Sequence, residues 1–182
     1  MLPVVSQAIE EFYVKKNYFL FKELCRKSLD LSEELKKYIK SKDITLEGDG
    51  DLLDPEGEWH VYFNSYIKGN FEVSYNTSLR ISKLVPVFNV GHYYAVENKG
   101  KKTIAPVLDE GGDYPYTKTQ QKLHQMIAAD LTSKGYTEVH DVDLEETVPN
   151  FKLPDGITIF GLNVTVELLL FRDIYNILDD EN

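Results

Sequence analysis

The sequence predicts an α+β fold. An antiparallel β-meander at about 59–106 is covered by N-terminal helices, a helix at about 117–134 and a C-terminal helix. Three observations carry this. Trp59, Val61, Phe63 and Ile67 fall on one side of an extended segment, and His60, Tyr62, Asn64, Tyr66 and Lys68 on the other. That period of two marks a strand with one buried face. The flanking segments instead repeat their apolar residues every three or four positions, the spacing of helices with one buried stripe. No internal repeat or low-complexity linker interrupts the 182 residues, so a single domain over 1–182 is expected.

Residues 6–28 read as the first helix, with Ile9, Phe12, Tyr13, Leu20 and Leu24 inward and Ser6 as its cap. Asp30 followed by Glu33 offers a capping box for a second helix from Leu31 to about Lys40. Residues 41–58 then read as a polar connection, broken by Gly48, Gly50, Pro55 and Gly57. Within the meander the first strand is expected at 58–67 and the second at 71–75. A turn follows at Asn76-Thr77-Ser78, and a third strand starts at Leu79. Strand is expected on both sides of Gly91, then a hairpin turn at 98–101 and a return at 103–105.

Residues 107–114 read as an acidic loop, and Thr117 to Lys134 as a helix with the stripe Leu123, Met126, Ile127 and Leu131, stopped by Gly135. Tyr136–Val139 is expected as a short strand, Asp155-Gly156 as a turn and Ile157–Phe160 as a strand. Thr165 to Leu178 reads as the last helix, with Asp173 as its polar intruder and a strand over 164–168 as the rival reading. The tail after Leu178 is acidic.

Thirty acidic residues against twenty basic ones leave a formal charge of −10. That sign disfavours direct binding to nucleic acid phosphates and to anionic membranes, and it suits a basic protein partner. It also keeps a protein soluble without further purpose. The most apolar stretch, 157–171, is broken by Asn163 and Glu167 and is too short to span a bilayer. The single cysteine, Cys25, permits no internal disulfide and sits in an apolar helical run, which reads as a buried structural thiol. With no basic, apolar leader at the N-terminus, a cytoplasmic location is expected.

Motifs for chemistry are sparse. The histidines 60, 92, 124 and 140 show no metal-ligand spacing, and the sequence leaves open whether His60 and His92 share a sheet face. Asp49-Gly50-Asp51 begins like a calcium loop, but Asp54 and His60 stand where that loop needs glycine and glutamate. No nucleophile elbow, phosphate loop or dinucleotide motif is present, so neither cofactor nor metal is expected. His60, Tyr62, Tyr66, Tyr93 and Tyr94 form either an aromatic binding surface or cross-strand packing beneath helices.

Three acidic segments are the candidate partner-binding groups: Asp49, Asp51, Asp54, Glu56 and Glu58; Asp109, Glu110 and Asp113; and Asp141, Asp143, Glu145 and Glu146. In size, charge and element order the chain resembles bacterial toxin-immunity proteins. That resemblance implies a non-enzymatic inhibitor that neutralises a basic partner, such as a cognate toxin. The alternatives are a small hydrolase using carboxylates and a histidine in a pocket beside the sheet, and an acidic mimic of DNA.

Overall fold

The computed structural model describes residues 1–42, 44–100, 108–155 and 163–179. The fold is α+β, built on a seven-stranded sheet. The strands are β1 (Thr45–Asp49), β2 (Glu56–Tyr62), β3 (Tyr66–Lys68), β4 (Phe71–Ser82), β5 (Val87–Asn98), β6 (Leu108–Gly112) and β7 (Thr137–Glu138). The main path runs β1-β2-β4-β5-β6, with β3 beside β4 and β7 beside β5. All ladders are antiparallel except the two-residue β5–β7 pair.

Three expectations about strands are corrected. Segments 45–49 and 108–112, read as acidic loops, are the edge strands of the main path. In β1 the glycine serves the sheet rather than breaking it. Gly48 has φ +126°, and a Cβ there would stand 2.1 Å from the Glu58 carbonyl oxygen, so only glycine lets β1 approach β2. Asn76-Thr77-Ser78 is no turn but the middle of β4, because β2 and β5 pair with it on both sides. Parity also breaks at 63–65, between β2 and β3. Tyr66 therefore pairs with Val73 on the face opposite Tyr62, and Ile67, expected inside, is 67% exposed.

The helices are α1 (Pro3–Ile9), α2 (Tyr18–Cys25), α3 (Glu33–Ser41), α4 (Lys118–Ser133), α5 (Asp141–Leu144) and α6 (Val166–Phe171). The single helix expected over 6–28 is α1, a π-helical turn at Glu10–Val14, a left-handed Lys16 at φ 57° and then α2. The wider turn brings Tyr13 inward, where its hydroxyl donates to the Leu169 carbonyl at 2.5 Å. Ser6 is not a cap, since α1 starts at Pro3. Ser32, not Asp30, caps α3 by accepting from the Leu35 amide, while Asp30 holds Lys36 at 2.6 Å. The last helix is shorter than expected: it ends at Phe171, and the Asp173 carboxylate accepts from the amides of Ile177 and Leu178. Thr165 forms an isolated bridge with Thr147, a remnant of the rival strand. The expected elements at 103–105 and 157–160 lie outside the described residues.

Two apolar clusters hold these pieces. One packs Leu35 and Ile39 of α3 with Leu123, Ile127 and Leu131 of α4 onto Trp59, Val61, Leu79, Ile81, Phe88 and Val90. The other gathers α1, the π-turn, α2 and α6 around Leu84, Val85, Val87 and Val139 at the sheet's end. Cys25 lies in it, fully buried, with its thiol pushed up to about 12 by burial and therefore inert. Helix α4 starts with a capping box. The Thr117 hydroxyl accepts from the Gln120 backbone amide at 3.1 Å, and the Gln120 side-chain Oε1 accepts from the Thr117 backbone amide at 3.0 Å. Replacing Thr117 with Ala is expected to lower unfolding stability by about 1 kcal/mol in urea titration.

Candidate functional site

In an antiparallel ladder, directly paired residues point to the same side of the sheet. The register therefore sorts the side chains into faces. Trp59, Leu79 and Val90 form one row beneath α3 and α4. The next row, on the other side, is Asp49, Glu58, Arg80 and Asn89. Beyond it lie Glu47, His60, Ser78 and Gly91, and then Tyr62, Asn76, Tyr93 and Gly111. These rows line a trough of about 570 Å3 along β4, to which Asp141 of α5 adds a wall. The floor is low because its residues are small: a Cβ at Gly91 would stand 2.8 Å from Ser78 Oγ.

The near end of this face is closed by α6. Arg80 stacks over the Phe171 ring at 4.6 Å. Its Nε donates to Glu56 at 2.6 Å and its Nη1 to Glu167 at 2.5 Å. Arg172 reaches the other oxygen of Glu56 at 3.1 Å. Burial works against the charge on Arg80, yet Glu56 and Glu167 hold its pKa above the ordinary value. Glu56 is pushed up by burial, with Arg80 and Arg172 pulling the other way.

Further along, carboxylates and aromatic rings share the open surface. Glu58 lies 3.4 Å from His60 Nε2, and the His60 ring stacks with Tyr62 at 6.2 Å. The Tyr93 hydroxyl donates to Asp109 at 2.5 Å, which raises the Tyr93 pKa. Asp141 is raised by burial and then by its neighbour Asp113, whose carboxylate accepts from the Asp141 amide at 3.1 Å.

Not all twelve carboxylates singled out in the sequence meet here. Asp49, Glu58 and Asp109 point to the open face, Asp141 lines it, and Asp113 holds Asp141. Glu56 is on the same face but is buried in its ion pairs. Glu110 is on the opposite face, with its carboxylate 3.5 Å from the Tyr94 hydroxyl. Asp51 bonds Ser28, and Asp54 is half-buried in the same loop. Asp143 accepts from the His140 amide, Glu145 is exposed elsewhere, and Glu146 pairs with the Met1 amino group. Glu72 and Glu97, paired with each other across β4 and β5 and bridged by Lys99, also lie on the open face and were not singled out. Their signal, an alternation in step with Tyr93, is readable only once the register is known. Of the aromatic candidates, His60, Tyr62 and Tyr93 line the trough. Tyr66 and Tyr94 are on the other face, where Tyr94 meets Tyr116 edge to face at 4.7 Å.

Two of the histidines meet in one hydrogen-bonded chain, and His60 and His92, whose faces the sequence left open, lie on opposite sides of the sheet. Beneath α4 the Thr77 hydroxyl meets His92 Nδ1 at 2.9 Å, His92 Nε2 meets His124 Nδ1 at 2.9 Å, and His124 Nε2 meets Glu138 at 2.7 Å. With both rings neutral the chain closes in one sense. Thr77 donates to His92, His92 to His124, and His124 to the Glu138 carboxylate. His92 is only 1% exposed and is lowered to about 4 by burial and then by His124, with Glu138 opposing.

Among the described residues no group of three His, Cys, Asp or Glu side chains is placed to hold a metal ion, and no helix is long and apolar enough to cross a membrane. Comparison with protein-family models, with characterised proteins and with solved structures finds no match.

Proposed function

We propose that this chain is a non-enzymatic binding module of the immunity or antitoxin type, which neutralises a basic partner by docking it on the open face of the sheet. The observation that carries this reading is the register. Acidic residues from distant segments, Glu47, Asp49, Glu58 and Asp109, point to one side of a rigid platform together with His60, Tyr62 and Tyr93. Such a field speeds encounter with a cationic protein and sets its orientation. Tyrosine adds rigid contact area at little entropic cost.

The test is binding of an oligo-lysine peptide to the purified chain, followed by fluorescence anisotropy at low and high salt. Binding that weakens with salt is expected, with a loss of at least about tenfold in the double variant Glu58→Lys/Asp141→Lys. Equal binding by that variant overturns the reading. In the native host, the co-purified protein is expected to be basic, and co-expression with this chain is expected to suppress its toxicity.

A second reading rests on the same trough. Glu58 beside His60, and Asp141 with its raised pKa, are the carboxylate–histidine set of a small hydrolase. Turnover of an ester, phosphoester or glycoside substrate that vanishes in His60→Gln and Asp141→Asn would favour it over the binding module.

A further inference from the structure

Away from the trough, the π-turn, the start of α2 and residues 150–152 enclose a second hollow of about 320 Å3. Its lining is aromatic: Tyr13, Tyr18, Phe151 and Tyr175, joined by Lys16 and Lys152. Three of the rings are packed together. Tyr13 meets Phe151 edge to face at 6.2 Å and Tyr175 at 5.8 Å. Two of the three hydroxyls are engaged within the protein, that of Tyr13 by the Leu169 carbonyl and that of Tyr175 by the Lys152 carbonyl at 2.9 Å. The Tyr18 hydroxyl has no hydrogen-bond partner among the described residues. It stands close enough to Tyr175 to raise the Tyr175 pKa, after burial.

The hollow also holds two cations without partners. Lys16 and Lys152 are exposed and meet no carboxylate among the described residues, in a chain whose formal charge is −10. Carboxylates on the neighbouring turns are engaged: Glu11 accepts from Lys15 and Asn17, and Asp173 from the amides of Ile177 and Leu178. The backbone is forced to shape this place. Among the described non-glycine residues only Lys16, Asn150 and Asn176 are left-handed, with φ 57°, 67° and 53°. The first two line the hollow and the third follows Tyr175. A helix end of this kind ordinarily carries glycine, since a side chain there costs roughly 1 kcal/mol. Lysine at 16 bears that cost and brings a cation to the hollow. The π-turn, a feature frequent at functional sites, is what turns Tyr13 inward here.

We propose that this hollow binds a small planar aromatic anion, an aryl carboxylate of one or two rings, with the ring among Tyr18, Phe151 and Tyr175 and the carboxylate drawn to Lys16, Lys152 and the Tyr18 hydroxyl. The volume lies at the small end of ligand sites, which are mostly apolar with a few polar groups that fix orientation. Aromatic walls favour a flat ring in offset or edge-on contact over a saturated one. Lysine supplies a point charge on a flexible stem, which suits an oxyanion without demanding one geometry. The hollow shares no residue with the trough, so this site is independent of the proposed docking of a basic partner.

The experiment titrates the intact chain with naphthoate, with its neutral counterpart naphthylmethanol and with the saturated anion cyclohexanecarboxylate, read by two-dimensional NMR. Naphthoate is expected to shift the ring signals of Tyr18, Phe151 and Tyr175. An exposed ion pair is worth at most about fivefold in affinity, so two lysines together are expected to favour naphthoate over naphthylmethanol by about tenfold. Cyclohexanecarboxylate is expected to bind more weakly than naphthoate. The double variant Lys16→Gln/Lys152→Gln is expected to remove the preference for the anion, while Lys37→Gln, on exposed helix α3, leaves it intact. Tyr18→Leu is expected to weaken naphthoate and naphthylmethanol together, and Tyr18→Phe to restore the neutral ligand in full. Amide spectra report whether each variant is folded. No shift of the three rings by naphthoate, equal binding of naphthoate and naphthylmethanol, a preference that survives loss of both lysines, or cyclohexanecarboxylate binding as tightly as naphthoate each overturns the proposal. Oligo-lysine binding to the open face stands or falls separately.

Discussion

Lowering the pH from 6.5 to 4 is expected to remove about 3 kcal/mol of unfolding free energy through His92 alone. Above pH 6.5 the ring is neutral whether the chain is folded or not. In the folded protein it stays neutral down to about 4, because burial and the neighbouring His124 disfavour its charge. Between the two values the unfolded chain binds a proton that the folded chain refuses, so stability falls as pH falls. Two and a half pH units at about 1.4 kcal/mol each give a limit of about 3.5 kcal/mol, of which about 3 kcal/mol is reached at pH 4, where the folded ring is itself half protonated. Glu138 adds to it in the same direction. Its carboxyl is held below the ordinary value, chiefly by the hydrogen bond from His124, so its contribution also disappears in acid. The check is the urea midpoint measured from pH 7 to pH 4. In His92→Gln, whose amide can accept from Thr77 and donate to His124, the midpoint is expected to depend on pH far less over this range. An unchanged slope in that variant would show that His92 is not the group responsible.

Arg80→Met is expected to destabilise the protein by about 3–5 kcal/mol. The Arg80 side chain is 11% exposed and that of Glu56 5%. Removing the guanidinium strands a buried carboxylate whose remaining cation, Arg172, is on the exposed side at 3.1 Å. The methionine keeps contact with Phe171, so the loss reports charge rather than volume. The double variant Arg80→Met/Glu56→Met removes both buried charges and is expected to be markedly more stable than Arg80→Met, since the pair as a whole contributes little beyond offsetting its own desolvation. Chemical denaturation of the two singles and the double closes the cycle. Additive losses would mean that the two side chains stabilise the fold independently. Arg80→Lys is expected to lose much of the same energy, because an ammonium cannot bridge Glu56 and Glu167 as the planar fork does.

Local pattern was enough for helix α4, where the apolar stripe, the Thr117 cap and the Gly135 stop lie within one segment. It was enough for the alternation Trp59, His60, Val61, Tyr62, which describes β2 as observed. It failed where a partner strand overrides a local signal. Asn76-Thr77-Ser78 has the composition of a turn, yet the Thr77 hydroxyl is satisfied by His92 and its backbone by two neighbours. Gly48 of β1 looks like a breaker until the Glu58 carbonyl behind it is seen. The acidic segments were legible as segments. That Asp109 shares a face with Glu58, and that Glu110 does not, was not.

From its residues alone this chain determined that it would build an α+β fold with a meander at its centre, one thiol buried in an apolar helix and a strongly acidic balance. Those properties are carried by periodicity and composition, which any short window displays. Tertiary structure alone decided which carboxylates meet, that Tyr62 and Tyr93 share one row of the open face, and that His92, His124 and Glu138 form a chain across 32 and then 14 residues of sequence. The reason is that strand register sets the face of every side chain with a period of two. A shift of one residue in pairing, invisible in the sequence, exchanges the trough for the core.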